Sequence, residues 1–179
     1  MACFVSAGHH LKDPGAAANG LQENKLTIRV RDRVVSILKG WGLKVITDND
    51  NETLAQYLSR IQPGNASVVV EFHFDAAVNS TASGSSAFYM DGANENSKSF
   101  AYDLAVDSSE ALEIANRGAM SESQSHRGRL GLVHEPGITA LLEVAFITNS
   151  NDMAKFEANF EDLCMKLAET IRYYEQLIP

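Results

Sequence analysis

Three short apolar runs in this chain each lead into a residue that needs a polar partner. Ala2-Cys3-Phe4-Val5 runs toward Gly8-His9, Val68-Val69-Val70-Glu71-Phe72 meets His73, and Ala140-Leu141-Leu142 meets Glu143. Short runs rich in β-branched residues read as buried strands of an α/β sheet, and such sheets carry their ligand sites beyond the carboxyl ends of the strands. Two imidazoles and a carboxylate are therefore expected around one crevice. Glu23, from the segment after the first run, extends the set to two His and two Glu, the composition of a hydrolytic zinc site.

The rest of the chain alternates strands and helices. A strand over 2–7 precedes a turn marked by Pro14 and Gly15. A helix over about 21–39 carries Leu26, Val30, Val34, Ile37 and Leu38 at helical spacing and ends at Gly40 and Gly42. Further strands are predicted over 44–47, 68–74, 86–90 and 140–147, and helices over 53–61, 97–112, near Asp152 and over 156–177. Residues 116–129 are polar and contain glycine, and read as a loop over the active face. The alternation predicts one domain over 1–179, with a sheet covered by helices on both faces.

With 179 residues, 45% of them hydrophobic, the chain can build one core. A formal net charge of -8 argues against nucleic acid or an anionic membrane as partner, and the longest basic cluster, Arg29-Val30-Arg31-Asp32-Arg33, reads as a solvated helix face. Cys3 and Cys164 lie on different predicted elements and read as buried free thiols. No run reaches membrane-spanning length, and the N-terminal apolar stretch is too short for a signal peptide and lacks a basic lead. The expectation is a protein made in the cytoplasm that acts elsewhere after release.

Each candidate residue has a plainer alternative. His9 follows a strand and a glycine, a rigidly held position, but could equally be a hydrogen-bonded loop histidine, and His10 competes with it. Glu23 lies in the opening turn of a helix, where a carboxylate also complements the helix dipole. Glu71, His73 and Asp75 share one face of their strand, so either His73 is a ligand supported by a neighbouring carboxylate or the face meets solvent at a sheet edge. Glu143, flanked by Leu141, Leu142, Val144 and Phe146, is either a catalytic carboxylate or half of a buried ion pair with Arg127 or Arg129.

Taken in order, Gly8-His9, Asp13-Pro14-Gly15-Ala16, Asn19-Gly20-Leu21, Glu23-Asn24-Lys25-Leu26, His73-Phe74-Asp75-Ala76, Asn116-Arg117-Gly118 and Leu141-Leu142-Glu143-Val144-Ala145-Phe146-Ile147-Thr148-Asn149 resemble the zinc-dependent N-acetylmuramoyl-L-alanine amidases of the type 3 class. The resemblance implies an α/β domain of the phosphorylase/hydrolase-like kind with a mixed sheet of about six strands. It implies one zinc per chain held by His9, Glu23 and His73, with Glu143 as the catalytic carboxylate. The substrate would be peptidoglycan, cut at the amide between N-acetylmuramic acid and L-alanine. Three positions depart from the pattern: His10-Leu11-Lys12 replaces a Gly-rich stretch, Asp75 a common Asn, and Ala145 a common Gly.

The chain looks like the enzymatic part of a phage or prophage endolysin, for which release through holin lesions is the expected route to the wall. Two rivals remain at this stage. A carboxypeptidase-like zinc peptidase would use Arg117, Arg127 or Arg129 for a substrate carboxylate, and an inactive wall-binding module would keep the fold without the chemistry.

Overall fold

A computed structural model describes residues 2–178. In chain order the elements are β1 (Ala2–Ala7), β2 (Ala17–Ala18), β3 (Leu21–Gln22), α1 (Glu23–Gly40), β4 (Val45–Thr47), α2 (Leu54–Arg60), β5 (Ser67–Asp75), β6 (Ser85–Tyr89), α3 (Glu95–Leu112), β7 (Asn116–Ser121), β8 (Ile138–Phe146), α4 (Ser150–Ala158) and α5 (Phe160–Leu177). Six strands form one mixed sheet in the order β4-β1-β5-β8-β6-β7, and every neighbouring pair is parallel except β6 with β8. This is the expected α/β architecture, with β2 and β3 added as a small antiparallel pair.

The period of two along β5 divides the molecule. Val68, Val70, Phe72 and Phe74 point into the main core with Leu26, Val30 and Val34 of α1, Phe100 and Leu104 of α3, and Leu163, Leu167 and Ile171 of α5. Each fully buried Leu, Val or Phe of that layer contributes about 1.5–3 kcal/mol through loss of apolar surface from water. Val69, on the other face, meets only a small cluster with Phe4, Tyr57, Ile61 and Leu132. The sheet therefore has a thick helical cover on one side. On the other it has a thin cover made of α2 and the 3-10 turns Glu122–Gln124 and Leu132–His134.

Four sequence expectations need correction. Residues 116–129 are not wholly loop: Asn116–Ser121 is the edge strand β7, which lacks an apolar run because it has one neighbour and lies open to water. The first long helix begins at Glu23 rather than Leu21, because Leu21–Gln22 is committed to pairing with Ala17–Ala18. The last two helices meet at Asn159 rather than ahead of Phe156: Asn159 ends α4 through its N–H on the Lys155 carbonyl and begins α5 by accepting from Leu163 N. β5, finally, is an interior strand between β1 and β8, so the face carrying Glu71 and His73 is not a solvent-facing edge.

The basic cluster on α1 is not a uniformly solvated face either. Arg29 is exposed and Arg33 half-buried, and they pair with Glu157 and Glu161, but Arg31 is only 3% exposed. Its guanidinium meets Asp32, Asp48 and Asp50, and Asp48 in turn accepts from Ala7 N at 3.2 Å. The end of β1 is thus fastened to the segment after β4. Removing the cation in Arg31→Met would leave the buried Asp48 carboxylate uncompensated. The expected loss is about 3–5 kcal/mol, read as a lower urea midpoint. An unchanged midpoint would show that the network contributes nothing net.

Both cysteines are free and fully buried, as expected, and burial pushes each thiol up to about 12.

Candidate metal centre

The site is assembled where β1, β5 and β8 end and α1 begins. Gly8 N donates to the Phe72 carbonyl, continuing the β1–β5 ladder by one residue, and the chain then turns at His9, whose φ is 66°. The turn is held to the start of α1. Thr27 Oγ1 donates to the Gly8 carbonyl at 2.7 Å, Asn24 Nδ2 to the His10 carbonyl at 2.9 Å, and Asn24 N to the Pro14 carbonyl at 3.1 Å. In the sequence Asn24 and Asp13 stand out only as parts of a motif. Here Asn24 anchors the loop, and Asp13 Oδ2 lies 2.9 Å from His9 Nδ1.

Glu23 is 0% exposed and stands between the two histidines. Its Oε1 is 3.0 Å from His73 Nδ1, and its Oε2 is 3.1 Å from His9 Nε2. The carboxylate also accepts from Ala16 N at 2.9 Å and Phe74 N at 3.1 Å. Burial works to raise its pKa, but the two imidazoles and the Ala16 N–H outweigh it and hold the group well below the usual carboxylate range. Burial likewise opposes the charge on His73, yet Glu23 and Glu71 raise that imidazole to about 10. His73 Nε2 reaches Glu71 Oε2 at 3.2 Å, so each histidine carries a carboxylate on the nitrogen turned away from Glu23.

Ligand atoms of His9, Glu23 and His73 all lie within 4.8 Å of one another, close enough to share one metal ion. Two observations fit a cation there. His9 Nε2 is buried and makes no hydrogen bond despite its closeness to Glu23. The backbone also leaves room for the rings by using glycine: a Cβ on Gly8 would sit 2.3 Å from His73 Cε1, and one on Gly15, at φ +65°, would sit 2.6 Å from Glu23 Oε2. His10, the competing histidine, lies outside the cluster. Gly8→Ala should therefore displace His73 and cut zinc stoichiometry to well below one per chain while the fold survives. Metal analysis with circular dichroism checks this, and a full zinc complement would show that the ring has another place to go.

Glu143 faces His73 in the β5–β8 register and is 5% exposed. Burial pushes its carboxyl up to about 7, against the pull of His73 and Arg127. Its Oε2 has no hydrogen-bond partner, and its Oε1 is 4.0 Å from Arg127 Nη2. The ion pair anticipated with Arg127 is thus a long contact at one oxygen. Arg127 Nη1 also lies 3.3 Å from His73 Nδ1, which places the 125–129 segment over the site. Asp75 stands beside Glu143 in a small pocket with Phe88, Leu130 and Leu141, and Ala145 is in the main core.

Residues 3–172 match a family described as N-acetylmuramoyl-L-alanine amidase. The chain is 28% identical over 181 aligned residues to the uncharacterized protein YqiI of Bacillus subtilis, covering 97% of this chain and 84% of YqiI. It is 25% identical to the N-acetylmuramoyl-L-alanine amidase LytC of Bacillus subtilis, covering 96% of this chain and 35% of LytC. The fold superposes on the N-acetylmuramoyl-L-alanine amidase AmiC2 of Nostoc punctiforme with a TM-score of 0.81 at 20% identity, covering 98% of this chain and 97% of AmiC2. Among the described residues no helix is long and apolar enough to cross a membrane.

Proposed function

The chain belongs to the N-acetylmuramoyl-L-alanine amidase family, and on that premise we propose that it cuts peptidoglycan between N-acetylmuramic acid and L-alanine, using one zinc ion held by His9, Glu23 and His73 with Glu143 as proton carrier. The observation that carries this reading is the juxtaposition itself: a His-Glu-His cluster within 4.8 Å, and on the adjoining strand a buried carboxylate with an unpartnered oxygen.

Three protein ligands leave a position open, as a catalytic zinc requires. When bound, zinc polarises a carbonyl and makes water a competent nucleophile near neutral pH. The remaining work falls to side chains. Asp13 and Glu71 fix the orientation and tautomer of the two imidazoles through their outer nitrogens. Glu143 takes the proton of the attacking water and delivers it to the departing alanine nitrogen. A carboxyl held near 7 suits both transfers. Arg127, half exposed beside Glu143, supplies a fixed positive charge near the developing anion.

Digestion of purified peptidoglycan by zinc-loaded protein, with and without chelator, tests the proposal by mass spectrometry. The expected products are intact stem peptides with a free N-terminal L-alanine and glycan strands without peptides, both lost on chelation. Shortened peptides would instead indicate a peptidase, and binding without cleavage an inactive wall-binding module.

A further inference from the structure

Arg127 reaches the reaction centre from a segment that has no apolar anchor of its own. None of residues 123–129 is buried, whereas Glu122 before them is 5% exposed and Leu130 after them 7%. Arg127 Nη1 nonetheless stands 3.3 Å from His73 Nδ1, and its Nη2 4.0 Å from Glu143 Oε1. That placement runs against the electrostatics of a metal cluster. A guanidinium only donates hydrogen bonds, so it competes for the His73 lone pair, and its charge repels a cation held there. The side chain is half exposed and has water to turn to, and Glu143 holds it by one long contact. Its aim therefore depends on how the segment that carries it is fixed.

Glu122 fixes both ends of that segment. Its Oε2 accepts from Leu130 N at 2.7 Å, which ties the start to the finish. His134 Nε2 lies 2.8 Å from Oε1 of the same carboxylate and fastens it to the 3-10 turn ahead of β8. Inside the closed loop, Ser125 N donates to the Glu122 carbonyl at 2.9 Å, and Ser125 Oγ to the Gly128 carbonyl at 3.2 Å. Gly128, at φ 69°, supplies the left-handed turn directly after Arg127. Leu130 itself is packed with Phe88, Val133 and Leu141.

We propose that Glu122 is a positioning residue: with His134 it clasps the 123–129 segment shut and so keeps Arg127 over the metal cluster and Glu143. Its effect on turnover rests on the amidase reading above, whereas its effect on the metal site does not.

Zinc titration of the whole chain tests the clasp without catalysis. Arg127→Ala should lower the zinc dissociation constant roughly three- to tenfold, the relief of one like-charge repulsion at a half-exposed site. Glu122→Ala should lower it by a similar factor, and the double variant no further. Loss of the Glu122 charge by itself would act the opposite way, so tighter binding reports the release of Arg127. His134→Ala removes one tie at a half-buried position and should act in the same direction by less; it stands in if Glu122→Ala does not fold. An unchanged constant in Arg127→Ala, or effects at the two positions that multiply, would overturn the proposal.

On peptidoglycan, Arg127→Ala should lower kcat on the order of 10²-fold with KM little changed. Glu122→Ala should lower it roughly tenfold or more, and the double variant no further than Arg127→Ala alone. Glu122→Gln keeps an acceptor for Leu130 N and should restore most of the loss. Losses that multiply would make Glu122 a support unconnected with Arg127. An unaltered protein that binds zinc and cleaves no peptidoglycan would overturn the amidase reading, with the zinc titrations still deciding the clasp.

Discussion

Glu143→Gln is expected to keep a full complement of zinc, to melt at or above the temperature of the unaltered protein, and to lose turnover by about 10²–10⁴-fold. The three outcomes come from one local arrangement. Glu143 is not among the clustered ligand atoms, so the amide does not disturb the metal. Its Oε2 is buried without a partner, and a neutral amide of the same shape is easier to bury than a carboxylate forced up to about 7. Only the proton transfer disappears. Metal analysis, calorimetry and product analysis on one preparation check all three. Retained turnover would remove Glu143 from the mechanism, and lost zinc would mean that it coordinates the metal.

The second large effect is expected from Glu23→Ala, which should abolish zinc binding and weaken the fold together. Glu23 joins both imidazoles and two backbone N–H groups, so its removal takes away a ligand and leaves Ala16 N and Phe74 N without their acceptor. Breaking a buried charge pair costs about 3–5 kcal/mol. Because Glu23 opens α1, the loop over 8–16 should also loosen, with faster amide exchange at Ala16 than at Leu142 in the core. A variant that holds one zinc tightly and unfolds at the original midpoint would exclude Glu23 from the ligand set.

What could be read in advance depended on whether a residue's surroundings are local in the chain. The strands were legible because Val68-Val69-Val70 and Ala140-Leu141-Leu142 carry their burial in their own composition. The four candidate site residues were legible as polar interruptions of apolar runs or as parts of an ordered motif, and the fold does bring them together. β7 was missed because an edge strand need not be apolar, and Arg31 because its three partners lie one, seventeen and nineteen residues away. Nothing in a helical charge cluster says which arginine faces inward.

The unequal covering of the sheet separates two kinds of evolutionary freedom. α1, α3 and α5 share one apolar layer, where a change in one side chain is felt by its neighbours, so the layer tolerates little drift. The opposite side holds the reactive groups beneath α2 and the 3-10 turns, whose two small clusters are separate from that layer. The exposed positions of those segments can be exchanged or recharged without touching that layer. A polymer as bulky as a cell wall need approach from only that side, so specificity can be rewritten there while the framework behind the sheet stays the same.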